Sequence, residues 1–380
     1  MLTSWWPQLG AQISRLGFGG MRLPTTADGK IDRETARKML LAAWESGVNY
    51  YDTAYRYHEG ESQEFMGEVL AELPRDQLFF ANKLPIWLVK NPADTDKYLN
   101  EQLAASQTDY FDFYLVHAMD AARFETMKKH GVYETLCKRR QEGKIRLLGF
   151  SYHGDWETFQ RMMEEYEWDF VQIQINYIDD IMSQSRDYYD LLCQKGVPCI
   201  VMEPVRGGFL ANLPQAALDE LAVSGAGAYS PAQWALRWCM ARDNMRVILS
   251  GMSTMEQVDE NTALFSDPLA EQLSGEEAAM MERVRDKVLA VKTIPCTACG
   301  YCMDCPSGVD IPAVFDVYNR YKLFGGEFEA WRSYSDLTRR DAAAGQCVRC
   351  GVCLPMCPQG LDIPERLAEV HAVMAPKLEE

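Results

Sequence analysis

Eight of the chain's twelve cysteines fall in two short runs, "PCTACGYCMDCP" at 295–306 and "CVRCGVCLPMCP" at 347–358. The first run places thiols at Cys296, Cys299, Cys302 and Cys305, the second at Cys347, Cys350, Cys353 and Cys357. Cys-x₂-Cys-x₂-Cys-x₃-Cys-Pro is a ligand spacing of [4Fe–4S] clusters. The second run fits it, and the first is one residue shorter before its last cysteine. Two Cys-x₂-Cys pairs could also build Cys₄ zinc sites. Zinc does not need four cysteines packed into so short a stretch with a proline after the last, so two clusters are expected. Where two clusters share a domain, the fourth cysteine of each run ligates the other cluster. That rule assigns Cys296, Cys299, Cys302 and Cys357 to one cluster and Cys347, Cys350, Cys353 and Cys305 to the other. The remaining cysteines, Cys137, Cys193, Cys199 and Cys239, read as ordinary buried thiols.

A different set of reactive groups lies far upstream. Asp52, Lys83 and His117 each end or nearly end an apolar run, and Tyr57 follows Asp52 by five residues. These types suit carbonyl reduction. Hydride adds to carbon, and the oxygen must gain a proton. A tyrosine can give that proton, but its unperturbed pKa is about 10. A neighbouring ammonium stabilises the phenolate and lowers that value. Lys83 fits this role, with Asp52 holding it charged and in place. His117 can hydrogen-bond the carbonyl oxygen and orient it.

The elements that must position these groups are legible as a repeat. Eight apolar runs, at 15–21, 48–54, 78–84, 111–118, 145–151, 170–176, 198–204 and 246–251, alternate with amphipathic stretches. Each run is apolar on both faces, as a strand buried between helices and a barrel interior should be. "DRETARKMLLAAWESG" is a typical partner, with Asp32 as N-cap and Gly47 as stop. Strand–helix units repeated eight times predict an α/β chain with a closed (β/α)₈ TIM barrel, and catalytic groups then belong at the C-terminal strand ends. "GFGGMR" lacks the Gly-x-Gly-x-x-Gly spacing of a doubly wound dinucleotide fold. A helix over 274–290 ends the barrel, giving expected domains of 1–290 and 291–380. In the second domain, "CPSGVDIPAVF" and "CPQGLDIPERL" form an internal repeat of cysteine run followed by helix.

"YYDTAYRYHEGESQE", "NKLP" and "YLVHAMD" resemble the tetrad motifs of the aldo-keto reductase family, over about residues 13–265. Asp52, Tyr57, Lys83 and His117 match that family's catalytic Asp, Tyr, Lys and His one for one. The chain departs from many members at "HEGES" after the tyrosine, which alters the pocket rim. The tail resembles helical ferredoxin modules, so the whole looks like the subgroup with a C-terminal two-[4Fe–4S] ferredoxin-like domain. The resemblance implies a nicotinamide cofactor. Ser151 and Gln172 would hold its carboxamide, Met202 would pack on its ring, and Gly207, Gly208 and Leu210 would line the pyrophosphate path. Gly251, Ser253, Gln257 and Asn261 would meet the adenine end. NADPH is expected by family. Because Met252 to Met255 offers no cation for a 2′-phosphate, NADH is the alternative.

The bulk numbers narrow the rest. Of 380 residues, 47% are hydrophobic, enough for a sizeable core, and the net charge is −17. Such a field repels phosphate backbones and excludes nucleic acid as the expected partner. Neither a secretory signal nor a run of about 18 apolar residues is present, so a cytoplasmic protein with no membrane partner is expected. The expected partner is a small carbonyl substrate. Carbonyl reduction needs no metal, and no flavin fingerprint is present to split a hydride into single electrons. The clusters are therefore expected to be structural or to serve an external electron carrier. The rival reading is an electron-transfer protein in which the clusters work and the barrel is a docking platform. Trp87, Met119 and Trp156 are candidate pocket residues.

Overall fold

The computed structural model describes residues 1–224, 228–303, 305–324 and 327–375. Its strands are β1 (Thr3–Trp6), β2 (Ala11–Ser14), β3 (Leu16–Gly19), β4 (Tyr50–Asp52), β5 (Phe79–Leu84), β6 (Phe111–Met119), β7 (Ile145–Tyr152), β8 (Phe170–Gln174), β9 (Cys199–Met202) and β10 (Met245–Ser250). Strands β3 to β10 close a barrel in the order β10-β3-β4-β5-β6-β7-β8-β9, every pair parallel. Each barrel strand falls on one of the eight apolar runs, with β6, β7 and β10 extending one residue beyond. All residues of β5 and β6 are buried, as strands flanked on both faces must be.

The helices are α1 (Arg33–Glu45), α2 (Glu61–Leu70), α3 (Ala93–Ala105), α4 (Ala121–Lys129), α5 (Val132–Gln141), α6 (Trp156–Glu165), α7 (Asp179–Met182), α8 (Ser185–Lys195), α9 (Gln215–Val223), α10 (Pro231–Met240), α11 (Met255–Leu264), α12 (Gly275–Leu289), α13 (Ile311–Phe324), α14 (Glu327–Arg339) and α15 (Ile363–Met374). Capping explains several boundaries. The Asp32 side chain accepts from Thr35 N at the start of α1. Ser274 and Glu277 form a reciprocal capping box at α12. The crossover from β6 to β7 carries two helices. Asp120 caps α4, and Gly131, at φ 59°, breaks it from α5.

Two compact units divide the chain. The first is Met1–Pro204 with Ala235–Leu273, and the second is Val205–Trp234 with the chain from Ser274 onward. The segments 205–234 and 274–290 thus group with the cysteine tail, although their sequence follows the barrel pattern. Within the second unit α12 packs on α9, and α13 packs on α14 and α15. The core of the tail is built on Phe315, Tyr318, Tyr334, Leu337, Leu367 and Val370. Among the described residues no helix is long and apolar enough to cross a membrane.

The N-terminal hairpin β1–β2 was not foreseen from the sequence. Its strands pair antiparallel, and alternation leaves Trp5 51% exposed while Trp6 is 1% exposed. The Trp6 ring lies edge-on to Phe113 at 5.0 Å and Phe170 at 6.5 Å, in one cluster with Tyr50 and Phe79. Those residues start their strands or lie near the start, so the hairpin stops the barrel end opposite the mouth. Four-residue strands carry too little periodicity to be read from sequence. The scattered cysteines divide too. Cys199 and Cys239 are buried, Cys137 is half-buried, and Cys193 is exposed beside the buried Leu192 of α8.

Gly67 in α2 fixes how closely the loop after α3 can approach. A Cβ built there would lie 2.5 Å from the carbonyl of Ser106. Gly to Ala inside a helix ordinarily stabilises by about 1 kcal/mol. Here the backbone contact reverses the sign. Gly67→Ala is expected to destabilise by roughly 1–3 kcal/mol, read as a lowered midpoint in chemical denaturation. An unchanged or raised midpoint would show that the contact yields.

Candidate functional site

Lys83 sits next to the end of β5 and reaches Asp52, the last residue of β4. Its Nζ donates to Asp52 Oδ1 at 2.5 Å, to the Thr53 carbonyl at 2.8 Å and to the Tyr57 hydroxyl at 3.2 Å. An ammonium has three protons, and these three acceptors take them. Lys83 is 1% exposed, Asp52 2%, His117 3% and Tyr57 9%. The Tyr57 and His117 rings stand edge-on, 6.2 Å apart. The four residues separated by up to 65 positions in sequence therefore meet at one mouth, at the C-terminal ends of neighbouring strands.

Local backbone sets each side chain. His58, Glu59 and Gly60 follow Tyr57 with φ of 50°, 57° and 99°, a left-handed turn that holds the tyrosine loop tight above α2. The departing "HEGES" stretch is this turn. Thr53 and Ser62 share a hydrogen bond of 2.9 Å, and Ser62 donates to the Gly20 carbonyl at 3.0 Å, pinning both ends. His117 precedes Ala118, which has φ 56°, and the β6–β7 register shifts between Val116 and Met119. The Ala118 amide donates to Ser151 Oγ at 2.7 Å, which ties this kink to β7.

Burial and charge decide the protonation states. Burial pushes the Lys83 ammonium down, and Asp52 pulls it back up. Burial pushes Asp52 up, and Lys83 pulls it back down. Burial is the larger effect, so Asp52 stays above and Lys83 below its ordinary value, with their 2.5 Å contact opposing both shifts. Burial first, then the charges of Lys83, His153, Arg123 and Arg56, hold His117 well below the ordinary histidine range. It is neutral at neutral pH.

A polar layer beneath the mouth was not anticipated. Asn82 Oδ1 accepts from Lys83 N at 2.8 Å and from Gln102 Nε2 at 2.7 Å. Gln102 also donates to the Lys83 carbonyl at 3.0 Å, and Tyr114 donates to Gln102 Oε1 at 2.6 Å. All of these groups are buried, so the network fixes the backbone that carries Lys83. The asparagine before the lysine was the one visible signal. Of the candidate pocket residues, Trp87 lies 5.2 Å from the His117 ring. Met119 is fully buried in β6, and Trp156 instead stacks on Phe159 and Tyr188.

The proposed cofactor residues lie in β7, β8 and β9, in the loops after β9 and β10, and in α11. Ser151 and Gln172 are register partners on β7 and β8. Among the described residues Gln172 Oε1 is a buried acceptor with no partner, which suits an amide donor from a ligand. Met202 ends β9 half-buried. Gly207 and Gly208, at φ 65° and 91°, and Leu210 lie in the 3₁₀ segment Arg206–Ala211. Ser253 Oγ donates to the Arg22 carbonyl, Gln257 Oε1 accepts from Ser253 N, and Asn261 donates to Ser250 Oγ, so these three also shape the start of α11. Arg22 comes against Gly251, where an added Cβ would meet its side chain at 3.1 Å. Arg22 also pairs with Glu203 at 3.3 Å.

In the second unit the cysteines line two cavities. One is bounded by Cys296, Cys299, Cys302 and Cys357 with Phe315 and Ile363. The other is bounded by Cys305, Cys347, Cys350 and Cys353 with Met356 and Leu367, and touches Cys302. The two loops repeat one backbone. Ala298 and Gly300 have φ 52° and 77°, and Arg349 and Gly351 have 56° and 78°. Burial, then the thiols of Cys299, Cys296 and Cys357, push Cys302 up to about 12.

Two family models match the chain, one on each side of about residue 290. The model of the aldo/keto reductase family matches residues 15–285, and that of a 4Fe-4S dicluster domain matches 295–361. The chain is 26% identical to the NADH-specific methylglyoxal reductase of Escherichia coli, over 71% of this chain and 96% of that protein. It is 24% identical to L-galactose dehydrogenase of Arabidopsis thaliana, over 68% and 86%. Among solved structures, the holo form of an aldo-keto reductase from Bacillus halodurans superposes with a TM-score of 0.61 at 24% identity, covering 75% of this chain and 96% of that one. An aldo-keto reductase from Klebsiella pneumoniae in complex with NADPH gives 0.61 at 23% identity over 75% and 96%. With a closed eight-stranded barrel and a family match over most of its length, this chain belongs to the aldo/keto reductase family and carries a 4Fe-4S dicluster domain at its C-terminal end.

Proposed function

We propose that the protein is an NAD(P)H-dependent oxidoreductase that reduces an aldehyde or ketone, and reversibly oxidises the alcohol, with Tyr57 as general acid. The observation that carries this reading is the Lys83 ammonium placed between the Asp52 carboxylate and the Tyr57 hydroxyl. The bound nicotinamide supplies the hydride. Tyr57 gives its proton to the carbonyl oxygen, and Lys83 stabilises the phenolate left behind. Asp52 keeps Lys83 charged in a dry site. Neutral His117 orients the oxygen without competing for the proton. Ser151 and Gln172 hold the carboxamide, and the unpartnered Gln172 Oε1 supports this. Gly207, Gly208 and Leu210 take the diphosphate, and Gly251, Ser253, Gln257 and Asn261 the adenine end. NADPH is the first choice. The similarity to an NADH-specific reductase keeps NADH as the alternative.

In the tail, two [4Fe–4S] clusters are proposed. Cys296, Cys299, Cys302 and Cys357 hold one, and Cys305, Cys347, Cys350 and Cys353 the other. The cavity linings support this sharing: one holds the first four cysteines, and the other holds the second four with Cys302 at its edge. Eight reduced thiols suit a cytoplasmic setting. The clusters stay outside the hydride step, as structural centres or as contacts for an external electron carrier.

Nicotinamide fluorescence titration tests binding, and a carbonyl panel tests turnover. Tyr57→Phe is expected to cut reduction by about 10²–10⁴-fold while leaving cofactor affinity near wild type. Full turnover in that variant would place the donor elsewhere.

The pH profile follows from the charges. A tyrosine donor must be protonated, so reduction is lost as pH rises through its pKa. Lys83→Met removes the cation that lowers that pKa, so the alkaline descent should move upward as the rate falls. His117 is held below its ordinary value of about 6.5, so no inflection is expected there. An inflection near that pH that vanished in His117→Gln would mean that His117 titrates in the working range.

Purified without oxygen, the protein should be brown and hold about eight irons per chain. Metal analysis that returned zinc in place of iron would overturn the cluster assignment.

A further inference from the structure

A third cavity of the second unit joins its two sequence segments. The Gly207–Gly208 turn forms one wall, and Cys296, Thr297, Asp316 and Arg320 of the tail form another. That segment also brings Arg206, Phe209 and Asn212 to the lining, but Gly207 and Gly208 themselves present bare backbone. Arg206, Gly207 and Gly208 run left-handed in succession, and a Cβ added to Gly208 would meet nothing within 4 Å. Such a surface admits a ligand close to the main chain. The opposite wall carries the cation Arg320 and the buried hydroxyl of Thr297. Cys296 and Thr297 also line the first cysteine cavity, so one loop serves both.

We infer that the cysteine tail completes the seat of the dinucleotide's diphosphate, with Arg320 and Thr297 facing the Gly207–Gly208 turn, so that the loop carrying Cys296 helps set cofactor affinity. This rests on the nicotinamide reading above. Guanidinium and hydroxyl donors are the groups that recognise phosphate oxygens. Arg320 already pairs with Asp316 at 2.8 Å, one helical turn away, but both side chains are more than half exposed. An exposed pair of this kind is weak, so a diphosphate can draw the guanidinium off it. Asp316 in the same lining then opposes the ligand. The two residues of one ion pair should therefore act in opposite directions.

The test is a fluorescence titration of NADPH and NADH on the full chain, loaded anaerobically, with iron content checked in each variant. Arg320→Met should weaken binding by about three- to tenfold, and Asp316→Asn should tighten it by about two- to threefold. Both effects should shrink at high salt. Reduced nicotinamide riboside, which lacks both phosphates, should bind both variants as it binds wild type. Wild-type affinity for both dinucleotides in both variants overturns the inference and leaves the proposed function standing. So does equal weakening by the two substitutions, which would mark the ion pair as structural. If wild type itself binds neither dinucleotide, the proposed function falls and takes this inference with it.

Discussion

The mouth of the barrel depends on one buried ion pair. Lys83 and Asp52 are both nearly inaccessible and lie 2.5 Å apart. Removing two charges from water is expensive, and the cost is recovered only where geometry is close and remaining donors are satisfied. Here the Thr53 carbonyl and the Tyr57 hydroxyl complete the ammonium's set. The pair therefore dictates its surroundings. β4 and β5 must be adjacent and in register, the tyrosine loop must turn back over α2, and Asn82 and Gln102 must hold the β5 backbone from below. The same field, with burial, keeps His117 neutral.

Backbone strain marks where the fold gives way to function. Nine non-glycine residues among those described have positive φ. Seven of them, His58, Glu59, Ala118, Glu203, Arg206, Ala298 and Arg349, lie in the barrel-mouth loops or the cysteine loops. Such conformations cost about 1–3 kcal/mol each and persist only where surrounding contacts over-determine them. The Ala118 amide bonded to Ser151 and the Asn176 amide bonded to the Glu203 carbonyl are contacts of that kind.

The two units solve stability differently. The barrel buries complete strands and stops its closed end with Trp6. Within the second unit the cysteine tail packs three helices around a smaller core and leaves the apolar Val348 and Val352 of its second cysteine loop exposed. Its helices α13 and α15 begin alike. Asp310 and Asp362 accept from the amides of Ala313 and Glu365, after glycines Gly308 and Gly360 at φ 75° and 62°. A thin core whose loops present eight thiols is one that metal binding can stabilise directly.

By itself, the sequence determined the barrel, the meeting of Asp52, Tyr57, Lys83 and His117 at its mouth, and the two cysteine runs. Strands buried on both faces leave continuous apolar runs, α1 declares its ends with Asp32 and Gly47, and ligand cysteines keep fixed spacing because a cluster is small and rigid. Those are local signals. The tertiary structure decided what has no local signal. The β1–β2 hairpin is too short to show a period, and its purpose appears only when Trp6 meets Phe113 and Phe170. The network of Asn82, Gln102 and Tyr114 joins residues from three elements, each unremarkable alone. Arg22 reaches Gly251 across more than two hundred residues, a proximity set by closure of β10 on β3. The grouping of 205–234 with the tail likewise follows from which surfaces pack together, and packing partners far apart in a chain leave no pattern in either stretch.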